Sequence, residues 1–170
     1  MSVDTRAGPI QIFADTPDGI AIAGVISAPA MSALARANLG SETLEALGWD
    51  RQQLDPLYPP AIANAGTDHF TVGVRDGSIL DQFDYDFDAM AAIMGREGWT
   101  SVHAFWAESP GCYHVRNALA NAGVREDAAS GSAAAAFAGY LRDLGRVHSN
   151  GGSLSSKASK WAGLVCSAYG

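Results

Sequence analysis

From Ala133 to Leu144 the chain reads Ala-Ala-Ala-Ala-Phe-Ala-Gly-Tyr-Leu-Arg-Asp-Leu. Phe137, Tyr140, Leu141 and Leu144 recur at helical spacing, while Ala133 to Ala136, Ala138 and Gly139 are small on the remaining faces. A helix that is apolar or small on nearly every side must be surrounded by protein rather than water. The segment therefore predicts a central helix over about 131–144 with a sheet wrapped round it. With 170 residues, 48% of them hydrophobic, the chain can build one compact core or two small ones.

Strand chemistry supplies the wrapping. Pro9 to Phe13 and Ile20 to Ile26 are short apolar runs separated by the turn string Thr16-Pro17-Asp18-Gly19, which predicts a hairpin. Ile62 to Ala65 and His69 to Arg75 follow, the latter with Phe70, Val72 and Val74 on one face and Thr71 and Gly73 on the other. Trp99 to Ala107 and Cys112 to Leu119 read as two more strands. A second principal helix covers Phe87 to Arg96, where Phe87, Met90, Ala91 and Met94 form one buried face. Ser41 to Gly48 reads as a short helix opened by a capping serine and closed by glycine. Ser27 to Leu39 is open between helix and loop because Pro29 interrupts its start. Pro56, Pro59 and Pro60 mark a connection, and Ser149 to Ser159, rich in Ser and Gly, reads as a mobile loop. The fold class is α+β, with strands dominant and the helices on or inside the sheet.

Composition removes several functions. A net charge of −7 argues against a nucleic-acid partner, which calls for clustered Lys and Arg. Cys112 and Cys166 have neither metal-ligand nor redox spacing and read as small buried hydrophobes. Met1 to Pro9 lacks a basic and apolar leader, and no window approaches the roughly eighteen continuous apolar residues of a membrane span. A soluble cytoplasmic protein is expected. His69, His103, His114 and His148 show no spacing of a metal site or of a nucleophile with its base, and read as structural or solvated.

The chemistry concentrates in Gly123-Val-Arg-Glu-Asp127-Ala-Ala-Ser-Gly131-Ser132. An acidic pair and a small-residue turn lead into a helix whose first amides lack intrahelical partners, so the turn can seat an anion. Asp127 beside that seat can carry a proton, and Ser132 can add a hydroxyl from the first turn. Ser and Asp ahead of a helix are equally its ordinary caps, so a purely structural turn stays open.

The string Gly-Val-Arg-Glu-Asp-Ala-Ala-Ser-Gly-Ser-Ala, followed by a helix ending Gly139-Tyr140-Leu141-Arg142, resembles the second-half signature of the phenazine-biosynthesis-protein-like (PhzF-like) family. Ala128 stands where the family has proline and Ser130 where it has threonine. Thr5 to Pro9, Gly66 to Val74 and Tyr113 to Arg116 resemble the family's opening strand, its glycine-then-strand step and its Arg-bearing strand. The family's first half, with its Ser-Glu-Thr acid segment and Gly-His turn, has no counterpart upstream of Met1. Residues 5–170 are thus expected to be a single second-type lobe, its tail degenerate from about 149, with the first lobe absent.

The resemblance implies one lobe of a diaminopimelate epimerase-like fold, a curved, mostly antiparallel sheet around a central apolar helix. It also implies an isomerase that moves protons on a small carboxylate substrate without metal or organic cofactor. By position it assigns Asp127 and Ser132 to catalysis and Ala129, Ser130 and Gly131 to the anion seat. Arg116 matches an arginine that either positions Glu126, meets substrate together with it, or forms a structural ion pair. Glu42, inside Ser41-Glu42-Thr43, copies the letters of the first-half acid segment but follows the opening strand, so it is read as a decoy that caps a short helix. The expected partners are a small carboxylate and either a partner lobe or a second copy of the chain, with no nucleic acid and no membrane. The readings that remain are a cofactor-independent isomerase, a non-catalytic lobe that binds an anion or partner, and a homodimer that rebuilds a symmetric site.

Overall fold

A computed structural model describes the backbone at residues 2–5, 8–15, 22–26, 31–34, 37–127, 130–146, 154–159 and 162–167, and side chains at 40–127 and 130–146. In chain order these form strands β1 (Ser2–Thr5), β2 (Gly8–Asp15), β3 (Ile22–Ile26) and β4 (Met31–Leu34), then helix α1 (Ala37–Leu47). Strands β5 (Ala61–Asn64) and β6 (Asp68–Val74) precede helices α2 (Gly77–Asp81) and α3 (Phe87–Glu97). Strands β7 (Ser101–Ser109), β8 (Cys112–Leu119) and β9 (Val124–Glu126) lead to helix α4 (Gly131–Asp143), and β10 (Leu154–Ser159) and β11 (Ala162–Ser167) close the order.

Strands β1, β2 and β3 pair antiparallel in a small sheet, so the two apolar runs flanking Thr16 to Gly19 do form the expected hairpin. The turn itself lies outside the described residues. The larger sheet runs β10-β11-β8-β7-β6-β5-β4, with β9 also on β8. Its pairings are antiparallel except β6 with β7, which lie parallel. A parallel pair cannot be joined by a tight turn, and here α2 and α3 make the crossover.

The sheet is packed on both faces, so β6 is buried along nearly all its length. On one face Phe70, Val72, Val74, Val102, Ala104 and Ala118 meet Leu44 and Leu47 of α1, Leu80 of α2 and Met90, Ile93 and Met94 of α3. The other face carries α4: Ala136, Phe137, Tyr140 and Leu141 pack with Ala61, Ala63, Phe105, Tyr113 and Val115. From Ala133 to Leu141 no residue is exposed, and only Arg142 and Asp143 reach solvent near the helix end. The α4 backbone lies against β4, β5, β6, β7 and β10. The encased alanine-rich helix is therefore the organising element of this face, in the mixed α and β architecture expected.

Three local expectations need correction, and one element was not expected. Residues 31–34 are strand β4, paired antiparallel with β5, where the alanine content admitted only helix or loop. Helix α1 begins at Ala37, so Ser41 and Glu42 lie within it and neither caps it. Glu42 instead pairs with Arg96 on α3 in a solvent-exposed contact. Leu154 to Ser159, expected as loop, is β10, aligned residue for residue with β11; ladder pairing overrides the low strand preference of Lys and Ala and the serines between them. Helix α2 went unread because its single turn, opened by the Asp76 side chain accepting from Ser78 N–H (2.8 Å), is too short for a periodic signal.

Phe137 is fully buried, with ring centroids 4.6 Å from Phe105, 4.8 Å from His103 and 5.2 Å from Tyr113. Truncating such a ring removes its transfer energy and leaves a cavity. Phe137→Ala should cost about 3–5 kcal/mol of unfolding free energy, read from urea denaturation midpoints at constant slope.

Candidate active site

Strand β8 ends in a single 3-10 turn, Ala120–Ala122, after which Gly123 takes a φ of 75°. That left-handed backbone suits glycine, and it sends β9 back along β8, pairing Glu126 with Ala118. Two ion pairs hold β9 in place. Arg116 on β8 donates from Nε to Glu126 Oε1 (2.6 Å) and from its second terminal nitrogen to Glu126 Oε2. The remaining nitrogen of Arg116 donates to the carbonyls of Leu80 (3.3 Å) and Asp81 (3.4 Å) at the end of α2, and the guanidinium lies 5.2 Å from the Phe83 ring centroid. The Glu126 hydrogen bond, opposed by burial, raises the Arg116 pKa. On the residue before Glu126, Arg125 donates to Asp84 and to the Tyr85 carbonyl, and the Tyr85 hydroxyl donates to the Arg125 carbonyl. Arg116 and Glu126 thus appear together as a built clamp, with the arginine spent on protein acceptors.

This clamp delivers Asp127. Its N–H donates to the Asn117 carbonyl at 3.0 Å, its own carbonyl accepts from Asn117 Nδ2 at 3.4 Å, and the residue is half-buried. Ala129 lies outside the described residues. Ser130 is the N-cap of α4, its hydroxyl accepting from Ala133 N–H at 3.3 Å. Gly131 and Ser132 open the helix at the surface, and the Ser132 hydroxyl is 3.4 Å from that of Ser130. Helix α4 carries no acidic residue in its first turn, so nothing within it neutralises the partial positive charge of that end. The capping reading of the turn holds for Ser130, and the same cap leaves Ser132 facing outward at the helix mouth.

One part of this region escaped sequence reading. The α4 face of the sheet is crossed by buried polar side chains in register: His69 opposite Ser101, Thr71 opposite His103, and His103 opposite Asn117. His69 Nδ1 is 2.7 Å from Ser101 Oγ and its Nε2 is 3.0 Å from Thr67 Oγ1. His103 Nδ1 is 2.7 Å from Asn117 Oδ1. These histidines are structural, as expected, but buried rather than solvated. On β6 the available signal was that His69 and Thr71 fall on the phase opposite Phe70, Val72 and Val74, whereas on β7 and β8 there was none, because His103 shares its phase with Phe105 and Asn117 shares its phase with Tyr113 and Val115. His114, by contrast, lies on the other phase, stacked on Trp106 and paired with Glu108 at 3.1 Å.

Among the described residues, no group of three or more His, Cys, Asp or Glu side chains is arranged to hold a metal ion. Among the same residues, no helix is long and apolar enough to cross a membrane. A surface cleft bounded by Leu47, Trp49, Gln53, Ser78, Gln82 and Asp84 contains none of the residues around Asp127.

Two measurements follow from this geometry. Ser130→Ala removes an N-cap and should cost about 1 kcal/mol of stability, checked by thermal or urea unfolding. Burial lowers both His69 and His103 from 6.5 to about 4, opposed by Asp68 at the first and by the Asn117 hydrogen bond at the second. The unfolded chain takes up those protons first, so stability should be full above pH 6.5, fall as pH drops toward about 4, and level off below. Unfolding midpoints across that window check the sign, and the slope should be shallower in His103→Gln.

Comparison with known proteins gives the family context. The family model described as phenazine biosynthesis-like protein matches residues 1–163. Among solved structures the chain is similar to a PhzF-family phenazine biosynthesis protein from Bacillus anthracis, at 17% identity and TM-score 0.69, over 82% of this chain and 48% of that one. It is also similar to a predicted epimerase from Pseudomonas aeruginosa, at 19% identity and TM-score 0.61, over 96% of this chain and 57% of that one. Likeness at these identities speaks to the fold. The chain spans about half the length of these solved relatives. No curated protein matches it.

Proposed function

Because the chain belongs to the phenazine biosynthesis-like family, we propose that it is an isomerase- or epimerase-type protein that moves protons on a small carboxylate-bearing metabolite, without metal or organic cofactor. The observation that carries this reading is the placement of Asp127. It is half-buried, fastened by its backbone to β8, and stands four residues ahead of the first residue of α4.

The chemistry follows from the parts. The N-terminal end of α4, with Gly131, Ser130 and Ala129, receives the substrate carboxylate, because first-turn amides and the helix dipole favour an anion. Asp127 exchanges a proton with a carbon activated by that carboxylate, and Ser132 donates its hydroxyl to the developing charge. Arg116 and Glu126 act on the loop that bears Asp127, consistent with a guanidinium already committed to Glu126 and to the end of α2. The second acid–base group comes from a facing lobe, as a member of the chain's family twice its length would supply it, or from a second copy of the chain. A biosynthetic role in the cytoplasm accords with such a substrate.

The half-length match favours a second reading, in which this lobe binds the anion or a partner and has no turnover of its own. Incubation with a panel of small carboxylic acids in deuterium oxide, followed by mass spectrometry, separates the two. Exchange of carbon-bound protons by the purified chain supports the enzyme, and Asp127→Asn should slow it by at least about 100-fold while leaving the unfolding midpoint in place. Unchanged exchange in that variant removes Asp127 from the mechanism. Saturable carboxylate binding with no exchange establishes the binding lobe instead.

A further inference from the structure

The buried polar row across β6, β7 and β8 ends at the backbone of Asp127, and nothing in the acid–base reading uses it. His103 and Asn117 are 1% and 2% exposed, deep on the face that carries α4, with the His103 ring 4.8 Å from Phe137. Polar groups placed there displace apolar contacts and desolvate donors and acceptors, which is unfavourable unless each finds a partner.

The partners fix the direction of the network. An asparagine amide can be seated in two orientations, and only one serves both neighbours here. Nδ2 is the donor, so it faces the Asp127 carbonyl at 3.4 Å, and Oδ1 then faces His103 Nδ1 at 2.7 Å. Oδ1 can only accept, so the proton of His103 sits on Nδ1. Its Nε2 is buried without a hydrogen-bond partner among the described residues. A bare acceptor there is the less costly orphan, since unpaired buried N–H groups are the rarer kind. Burial, with the His103 pKa near 4, keeps the ring neutral and this tautomer in place.

We infer that Asn117 is a positioning residue for Asp127, holding both the N–H and the carbonyl of that residue, and that His103 orients the Asn117 amide so that it can do so. The chain of bonds runs from the His103 Nδ1 proton to Asn117 Oδ1, from Asn117 Nδ2 to the Asp127 carbonyl, and back from the Asp127 N–H to the Asn117 carbonyl. Through the ring contact of His103 with Phe137, the same residues that seat α4 also seat the backbone of Asp127 ahead of it. The catalytic consequence rests on Asp127 being the proton carrier, whereas the clamp itself does not.

The discriminating variant is Asn117→Asp, which keeps size and the acceptor for His103 but turns the donor facing the Asp127 carbonyl into a second acceptor. His103→Gln is its counterpart, because a glutamine amide can still donate to Asn117. Amide hydrogen exchange followed by mass spectrometry or NMR reads the clamp without any substrate. Exchange at the Asp127 amide should rise about 5- to 10-fold in Asn117→Asp, the equivalent of one net hydrogen bond, while amides of Ala136 to Leu141 stay as in the parent protein. His103→Gln should keep Asp127 near its parent protection. In the deuterium assay with the carboxylic acid panel, Asn117→Asp should lower kcat and leave KM in place. Unchanged Asp127 protection in Asn117→Asp, or a rise matched throughout α4, overturns the clamp. A lost clamp with undiminished kcat overturns its positioning role, and Asp127→Asn tests the proton carrier separately, so the two failures are distinguishable.

Discussion

Phe137 against the inner face of the sheet is the contact on which the remaining architecture turns. Its ring meets Phe105 and His103 of β7 and Tyr113 of β8, so a single side chain sets the depth of α4 over two neighbouring strands. Ala133, Ala136 and Gly139 let the helix lie close, because a larger residue at any of these buried places would hold it off the sheet. Farther along the same helix the Tyr140 hydroxyl donates to the Pro59 carbonyl at 2.9 Å, tying it to the connection between α1 and β5. The mouth of α4 inherits its position from these contacts, and Asp127 inherits its own from β8 and β9.

Periodicity made the large elements legible. The 3.6-residue spacing of Phe137, Tyr140 and Leu141 and the spacing of Met90 and Met94 identify the two long helices, because a buried stripe leaves its mark in any chain that must cover a sheet. Alternation in His69 to Val74 found β6 and its two faces, and both are closed over by helices. Strands β4 and β10 were not legible. Met31 to Leu34 and Leu154 to Ser159 contain little that prefers an extended backbone, and they are strands because a neighbouring strand offers a ladder. Propensity is local, whereas pairing is decided elsewhere in the chain.

The site was legible in part for a similar reason. Glu126, Asp127 and Ser132 stand in one short string and the resemblance that names them is linear, so sequence suffices to single them out as candidates. Arg116 was found the same way, but its employment was not. Only the fold reveals that its nitrogens are shared between Glu126 and the carbonyls that end α2. His103 and Asn117 lie fourteen residues apart and belong to one bond chain only because β7 and β8 are neighbours. A single histidine or asparagine in a strand carries no mark of the residue it faces.

Among the described strands, the parallel pairing is that of β6 with β7, and it bears on how the site is joined together. Antiparallel neighbours can zip from a turn, but β7 finds β6 only after the chain has closed a long excursion through α2 and α3, which spends loop entropy before any pairing rewards it. Strands β8 and β9 grow from β7, whereas α4 must also reach β4 and β5 on the far side of that seam. The Asp127-bearing turn is tied to β8 on one side of that seam and runs into a helix that spans it, so the backbone of Asp127 and the mouth of α4 share one frame only once the crossover has closed.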